Sequence, residues 1–257
     1  MKAVILAGGL GTRLGNLTET IPKPMVKIDN KPILYHIMST FSKYGINDFI
    51  IALGYKSEVI KDYFLNYQAY NSDFTIDLTK NNLNIHDNKT EPWKITLVNT
   101  GEKTLTGSRI KKIFPYIKND DYFCLTYGDG LSNLNIKNLI KFHINHNKLA
   151  TITAAIPPSR FGALRIKDKK VLNFNEKPFG RDGYINGGFF VLSPNIINYI
   201  KDDEFCSWEQ EPLTNLANDG ELMSYVHDDF WHPMDTLRDK QYLDMLWKKN
   251  DAPWKIW

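Results

Sequence analysis

Residues 1–25 read MKAVILAGGLGTRLGNLTETIPKPM. Ala3-Val4-Ile5-Leu6 is an apolar run without alternation, the pattern of a strand buried on both faces, and it stops at Ala7-Gly8-Gly9-Leu10-Gly11-Thr12-Arg13. Glycines let backbone amides come close to a ligand, so this turn is suited to surround phosphate oxygens, and Arg13 adds a planar, permanent charge. A simple tight turn is the competing reading. The G-x-x-x-x-G-K-[ST] spacing of a P-loop is absent, and Leu14 stands where a dinucleotide fingerprint needs its third glycine. Asp29, in a turn-like Asp-Asn-Lys-Pro context, also fails the acidic position of that fingerprint. Pro22-Lys23-Pro24 sets one lysine between two residues of restricted φ, so a flexible cation leaves a stiff segment. An ordinary surface lysine is the alternative.

Outward from this start, residues 32–44 show helical spacing, with Pro32 at the first helical position and Gly45 as a stop. Its His36 reads as a packed or half-exposed helix residue, not a catalyst. Asp48–Leu53 is a second buried strand, and Ser57 is placed to cap a helix running to about residue 67. Strand, helix, strand, helix is a βαβ reading with a mostly parallel sheet. Residues 69–92 change texture to clustered Asn and Asp with two short alternating runs, expected as a polar hairpin excursion and a candidate subunit contact. Residues 95–98 return to the sheet, and Thr106-Gly107-Ser108-Arg109 precedes a short helix carrying Ile110, Ile113 and Phe114.

Residues 122–127 form the next buried strand and end in Gly128-Asp129-Gly130. Ligands of open α/β sheets collect beyond the carboxyl ends of the strands, so Asp129 is either placed for a hydrated divalent cation or is the acid of a tight turn. Residues 134–147 read as a helix whose His143 and His146 fall on the solvated side. After a strand at 150–156 and Pro157-Pro158, residues 161–166 and 171–174 are spaced like a hairpin within a subregion spanning 157–190. Glu176-Lys177-Pro178 is either a solvated charge pair or a carboxylate for hydroxyls beside an ammonium for a phosphate. Asn186-Gly187 pairs an amide with open backbone, and Gly162 allows similar close approach. A bulge is the plain reading of each glycine. Trp208-Glu209 borders a pocket or is a core tryptophan ahead of a helix-starting acid. Asp235 either caps the helix from about residue 237 to 247 or contributes a carboxylate to a site, and His232 reads as structural.

The chain has 257 residues, 42% hydrophobic and 24% charged, as expected for a globular core with small elaborations in one domain, 1–257. A net charge of +3 gives no argument for nucleic acid or an anionic membrane as partner. The two cysteines, Cys124 and Cys206, lack metal-ligand spacing, and Cys124 reads as a small buried residue. No signal-like or membrane-length apolar run occurs, so the expected location is the cytoplasm.

Gly8-Gly9-Leu10-Gly11-Thr12-Arg13 together with Pro22-Lys23-Pro24 resembles the opening of the sugar-1-phosphate nucleotidyltransferases. Glu91-Pro92-Trp93, Thr126-Tyr127-Gly128-Asp129-Gly130, Arg160-Phe161-Gly162-Ala163-Leu164, Glu176-Lys177-Pro178, Ile185-Asn186-Gly187-Gly188-Phe189-Phe190, Trp208-Glu209-Gln210-Glu211-Pro212-Leu213 and Pro233-Met234-Asp235-Thr236-Leu237-Arg238-Asp239 are similar to that family in order and spacing. The likeness covers nearly the whole chain. It implies an α/β fold with a doubly wound, mostly parallel mixed sheet of Rossmann-like type and small β excursions.

The resemblance further implies transfer from CTP to glucose 1-phosphate, with Mg²⁺ held by Asp129 and Asp235. Leu6, Gly8, Gly9, Gly11, Thr12, Arg13, Lys23, Thr106, Gly107, Arg109, Gly128 and Asp129 would take the nucleotide, with Arg109 reaching a phosphate. Gly162, Glu176, Lys177, Asn186 and Gly187 would take the sugar phosphate, and Arg13, Lys23, Asp129 and Lys177 would carry catalysis. A homo-oligomer is expected, without nucleic acid or membrane. UTP, dTTP or another sugar phosphate remain alternatives, as does a sugar-nucleotide binder without turnover.

Overall fold

The computed structural model describes residues 1–158, 163–167, 170–175 and 183–257. Among these, seven strands form one sheet: β1 (Lys2–Ala7), β2 (Asp48–Leu53), β3 (Lys94–Asn99), β4 (Phe123–Tyr127), β5 (Ala150–Ala155), β6 (Ile185–Leu192) and β7 (Leu222–His227). Their order is β7-β5-β6-β4-β1-β2-β3. Pairing is parallel at β1–β2, β1–β4, β2–β3 and β5–β7, while β6 runs antiparallel to both of its neighbours. The chain builds outward from β1 to β2 and β3, then returns to lay β4 on the other side of β1. That reversal leaves a crevice beyond the carboxyl ends of β1 and β4, where the two glycine-bearing turns follow.

The longer helices among the described residues are α1 (Ile33–Ser42), α2 (Ser57–Leu65), α3 (Thr106–Ile113), α4 (Ile136–His146), α5 (Glu211–Asn218) and α6 (Leu237–Lys248). They cover both faces of the sheet, which explains the apolar runs without alternation. Ala3, Ile5 and Ala7 of β1 pack with Ile33 and Phe41 of α1 and Leu243 of α6. Val4 and Leu6 point the other way, into a second core with Ile110 and Ile113 of α3 and Leu216 of α5. Each face thus buries alternate residues of one strand, and a fully buried Ile or Leu contributes about 2 kcal/mol.

Helix ends differ from the sequence reading in ways that matter. Pro32 is the extended residue before α1 instead of its first helical residue, and Gly45 (φ 80°) lies where the chain turns away. Lys56, left-handed at φ 49°, precedes α2, so Ser57 begins that helix instead of capping it. Thr106 is the first residue of α3, which places the expected ligand segment inside the helix. At α6 the cap is Thr236, whose side chain accepts from Asp239 N while the Asp239 carboxylate accepts from Thr236 N. Asp235 is therefore released from capping.

Two smaller features leave the core. Ser72–Asp77 and Asn82–Asn88 pair as an antiparallel hairpin with Phe74, Ile76 and Leu83 exposed. At its root Glu91 accepts hydrogen bonds from Tyr35 (2.6 Å) and Tyr67, so the Glu91-Pro92-Trp93 motif anchors the excursion. Ala163–Lys167 and Lys170–Asn175 pair as the second hairpin. Among the described residues no helix is long and apolar enough to cross a membrane.

Of the two α4 histidines expected on the solvated side, His143 is buried and His146 is half-buried. His143, 5% exposed, meets the Thr151 hydroxyl at 2.9 Å through Nδ1, and His146 Nε2 lies 2.7 Å from the same oxygen. His36 is 0% exposed, and its Nδ1 accepts from Trp254 Nε1 at 3.4 Å. Burial, reinforced at His143 by neighbouring His146, pulls both His36 and His143 down to about 4. Because the unfolded imidazoles take up protons near 6.5, the stability present above that pH should fall as pH drops toward 4. The loss is on the order of 3 kcal/mol per histidine. Urea unfolding at about pH 7 and about pH 4.5 checks this; a midpoint independent of pH in that window would exclude it.

Candidate active site

The crevice opens into a cleft of about 860 Å³. Lys23 reaches it from a one-turn helix, Lys23–Met25, entered through extended Pro22 and stiffened by Pro24. Its Nζ lies 2.5 Å from Asp129 Oδ2 and 2.6 Å from Asp235 Oδ1, and Arg13 Nη1 lies 3.1 Å from Asp235 Oδ2. Two carboxylates far apart in sequence meet because Gly130–Ser132 pairs antiparallel with Trp231–Pro233, and Met234 N donates to Asp129 O at 2.8 Å. The Lys23 side chain is 12% exposed. Burial alone would lower its pKa, but Asp129 and Asp235 outweigh it and the net shift is upward, so the lysine stays charged. Arg13, at 68% exposure, keeps most of its guanidinium open to the cleft.

The donor set fits a hard divalent cation. Two carboxylates converge on the Lys23 ammonium, with Arg13 also on Asp235, and an ion such as Mg²⁺ retains water and shares phosphate oxygens, so it needs few protein ligands. Asp129 and Asp235 are the residues that would hold it.

Of the residues expected around a nucleotide, all but Gly107 line the cleft. Gly107 instead packs against the segment before α5, where a Cβ would lie 2.9 Å from the Cys206 carbonyl oxygen. Arg109 also departs from expectation. It is 4% exposed, and its guanidinium donates to the carbonyls of Leu53 (3.0 Å), Gly8 (3.0 Å), Gly101 (2.7 Å) and Glu102 (3.2 Å) and to Thr100 Oγ1 (2.5 Å). Its donors are thus turned toward backbone, bracing the turns after β1, β2 and β3 from beneath instead of reaching a phosphate. Gly8 is required by that brace, since a Cβ there would sit 2.2 Å from Arg109 Cζ.

Asn186 and Gly187 do not line the cleft themselves but touch residues that do: Asn186 Nδ2 lies 3.4 Å from Tyr127 Oη, and the Gly187 carbonyl accepts from Trp231 Nε1 at 2.6 Å. Gly162, Glu176 and Lys177 lie outside the described residues. The structure adds Tyr127 and Trp231, which line the cleft without having been assigned to it, and Glu209, read as either bordering a pocket or starting a helix, lines it too. Tyr127 was within reach as the last residue of the strand before Gly128-Asp129. Trp208 proves to be core, 0% exposed, while Glu209 beside it turns outward into the cleft.

Paired acids with two converging cations beyond the carboxyl ends of a doubly wound sheet define a phosphate-handling enzyme site, and a family model places it: the chain belongs to the nucleotidyl transferase family, whose model matches residues 2–244. Among curated proteins it is 55% identical over 257 residues, all of both chains, to glucose-1-phosphate cytidylyltransferase of Salmonella typhimurium. It is 30% identical over 236 residues, 90% of this chain and 91% of the relative, to D-glycero-alpha-D-manno-heptose 1-phosphate guanylyltransferase of Aneurinibacillus thermoaerophilus. The crystal structure of HddC from Yersinia pseudotuberculosis superposes with a TM-score of 0.70 at 27% identity, covering 96% of this chain and 99% of that one.

Proposed function

We propose that this protein condenses CTP with α-D-glucose 1-phosphate, forming CDP-glucose and releasing pyrophosphate. The carrying observation is the meeting of Lys23 and Arg13 with Asp129 and Asp235 at the β1/β4 crevice, in a chain 55% identical over its whole length to a cytidylyltransferase of that substrate pair. A sugar phosphate is already a competent nucleophile, so no serine or cysteine is needed for a covalent intermediate. One of its phosphate oxygens forms a bond to the α-phosphorus of CTP as the bond from that phosphorus to the bridging oxygen breaks, and pyrophosphate leaves with the electron pair. The protein's tasks are alignment and charge neutralisation.

Arg13 and Lys23 line the cleft beside the glycine turn and supply positive charge for the triphosphate and the departing pyrophosphate. Asp129 and Asp235 would hold Mg²⁺, which, when bound, supplies Lewis-acid neutralisation of phosphate oxygens. Asn186 and Gly187 stand on the sugar-phosphate side, a role this reading shares with Gly162, Glu176 and Lys177. The exposed hairpin in the excursion 69–92 supports the same reading's homo-oligomer, with that excursion as the subunit contact.

A pyrophosphate-release assay with Mg²⁺, glucose 1-phosphate and CTP, UTP, dTTP or ATP offered singly tests the proposal. Release with CTP in preference to the other three is expected. Release with another nucleotide and not with CTP overturns the substrate assignment and keeps the reaction class; silence with all four overturns the activity with this sugar.

A further inference from the structure

Glu209 belongs to no motif read from the sequence as catalytic, yet three hydroxyls converge on it. Its Oε1 accepts from Tyr127 Oη at 2.5 Å, and its Oε2 accepts from Thr106 Oγ1 at 2.6 Å and Ser207 Oγ at 2.7 Å. The groups it gathers come from different elements that line the cleft. Thr106 opens α3 on the side of the glycine turn and the brace under it, whereas Tyr127 ends β4 and touches Asn186 of β6. Both ends of this chain are set in rigid surroundings. The Thr106 hydroxyl also accepts from Trp208 N at 2.9 Å, and buried Trp208 packs edge-on against Phe190. The Tyr127 ring packs against Phe190 as well and lies over Gly188, where a Cβ would come within 2.7 Å of Cδ2.

An ionised carboxylate only accepts hydrogen bonds, so its presence fixes the direction of every bond in the chain. Thr106 and Tyr127 must each give their single hydroxyl proton to Glu209. The Tyr127 oxygen is then left with lone pairs only, which face the Asn186 amide and the cleft. Asn186 is oriented too, because its Oδ1 accepts from Gly188 N at 2.8 Å and its Nδ2 is thereby turned to Tyr127.

We infer that Glu209 is a positioning residue for the transfer reaction: it fixes the proton directions of Thr106 and Tyr127, and so presents Tyr127 and Asn186 to the sugar phosphate in register with the nucleotide side. This rests on the substrate pair proposed above. The reacting oxygen and phosphorus come from two separate ligands, so a bond network tying elements that line the cleft acts on alignment.

The test is steady-state kinetics of Glu209→Ala, Glu209→Gln, Tyr127→Phe and the Glu209→Ala/Tyr127→Phe double variant, each with glucose 1-phosphate and CTP varied in turn. Glu209→Ala is expected to raise KM for glucose 1-phosphate and lower kcat, together about tenfold to a hundredfold in kcat/KM. Glu209→Gln keeps one acceptor oxygen and should recover part of that loss. The double variant should be no worse than about twofold below the poorer single variant, since both remove one network. Wild-type KM values in Glu209→Ala, or losses that multiply in the double variant, overturn the inference. Tyr127→Phe preserves the ring packing and carries the test if Glu209→Ala does not fold. A wild type inert with CTP and glucose 1-phosphate would overturn the substrate reading itself and this inference with it, a result distinct from active wild type with unaffected variants.

Discussion

Lys23→Ala is expected to lower kcat for pyrophosphate release by about a hundredfold or more, the scale of removing one group that stabilises developing charge. The lysine has two tasks in this structure, and the substitution removes both. Its ammonium is the cation nearest Asp129 and Asp235, at 2.5 and 2.6 Å, and it lines the cleft where the triphosphate charge must be met. Without it the two carboxylates repel, with Arg13 at 3.1 Å from Asp235 as the remaining cation. The variant should therefore also lose stability, and adding Asp235→Asn should restore Tm while leaving activity at its low level. Thermal scans and kcat measured side by side separate the two effects. A Lys23→Ala enzyme within about threefold of wild-type kcat would remove the lysine from the mechanism.

The second large effect falls on a residue that makes no contact with the acid pair. Arg109→Lys keeps the charge but replaces a planar fork of five donors with one ammonium, which cannot serve acceptors on Gly8, Leu53, Thr100, Gly101 and Glu102 together. The Gly8, Leu53 and Thr100 acceptors are buried while Gly101 and Glu102 lie nearer the surface, and the expected destabilisation is about 3 kcal/mol. For a chain of this size that is a fall in Tm of roughly 6–12 °C. Activity should fall with it, because the Gly8 carbonyl hangs directly on the guanidinium. Calorimetry on Arg109→Lys decides the matter: a Tm within about 2 °C of wild type would mean that the turns hold themselves.

Much of the site was legible because its parts are short motifs with local physics. A strand buried on both faces cannot alternate, so Ala3-Val4-Ile5-Leu6 announced helices on both sides of a sheet, and they are there. Gly8, Gly9, Gly11, Arg13, Lys23 and Asp129 were read from turns whose geometry only a few residue types allow, and all of them line the cleft. The misses share one cause. Arg109 was assigned by its charge, yet whether a guanidinium faces a ligand or its own backbone depends on which carbonyls the fold brings beneath it. His143 was placed by helical period on the solvated side, where β5 covers it through Thr151, while His146, half-buried, bonds the same hydroxyl. Asp235 stood one residue from a helix start, and only the capping pair Thr236 and Asp239 shows that it is free for the site.

What the sequence determined by itself was therefore the local menu: strands by apolar runs, turns by glycine and proline, and the family by motifs in order along nearly the whole chain. Tertiary structure alone decided the partnerships. Asp129 meets Asp235 through the pairing of Gly130–Ser132 with Trp231–Pro233, and Glu209 gathers hydroxyls from α3 and β4. Hydrogen bonds and ion pairs act over about 3 Å, a scale at which sequence separation carries no information until the sheet has fixed its register.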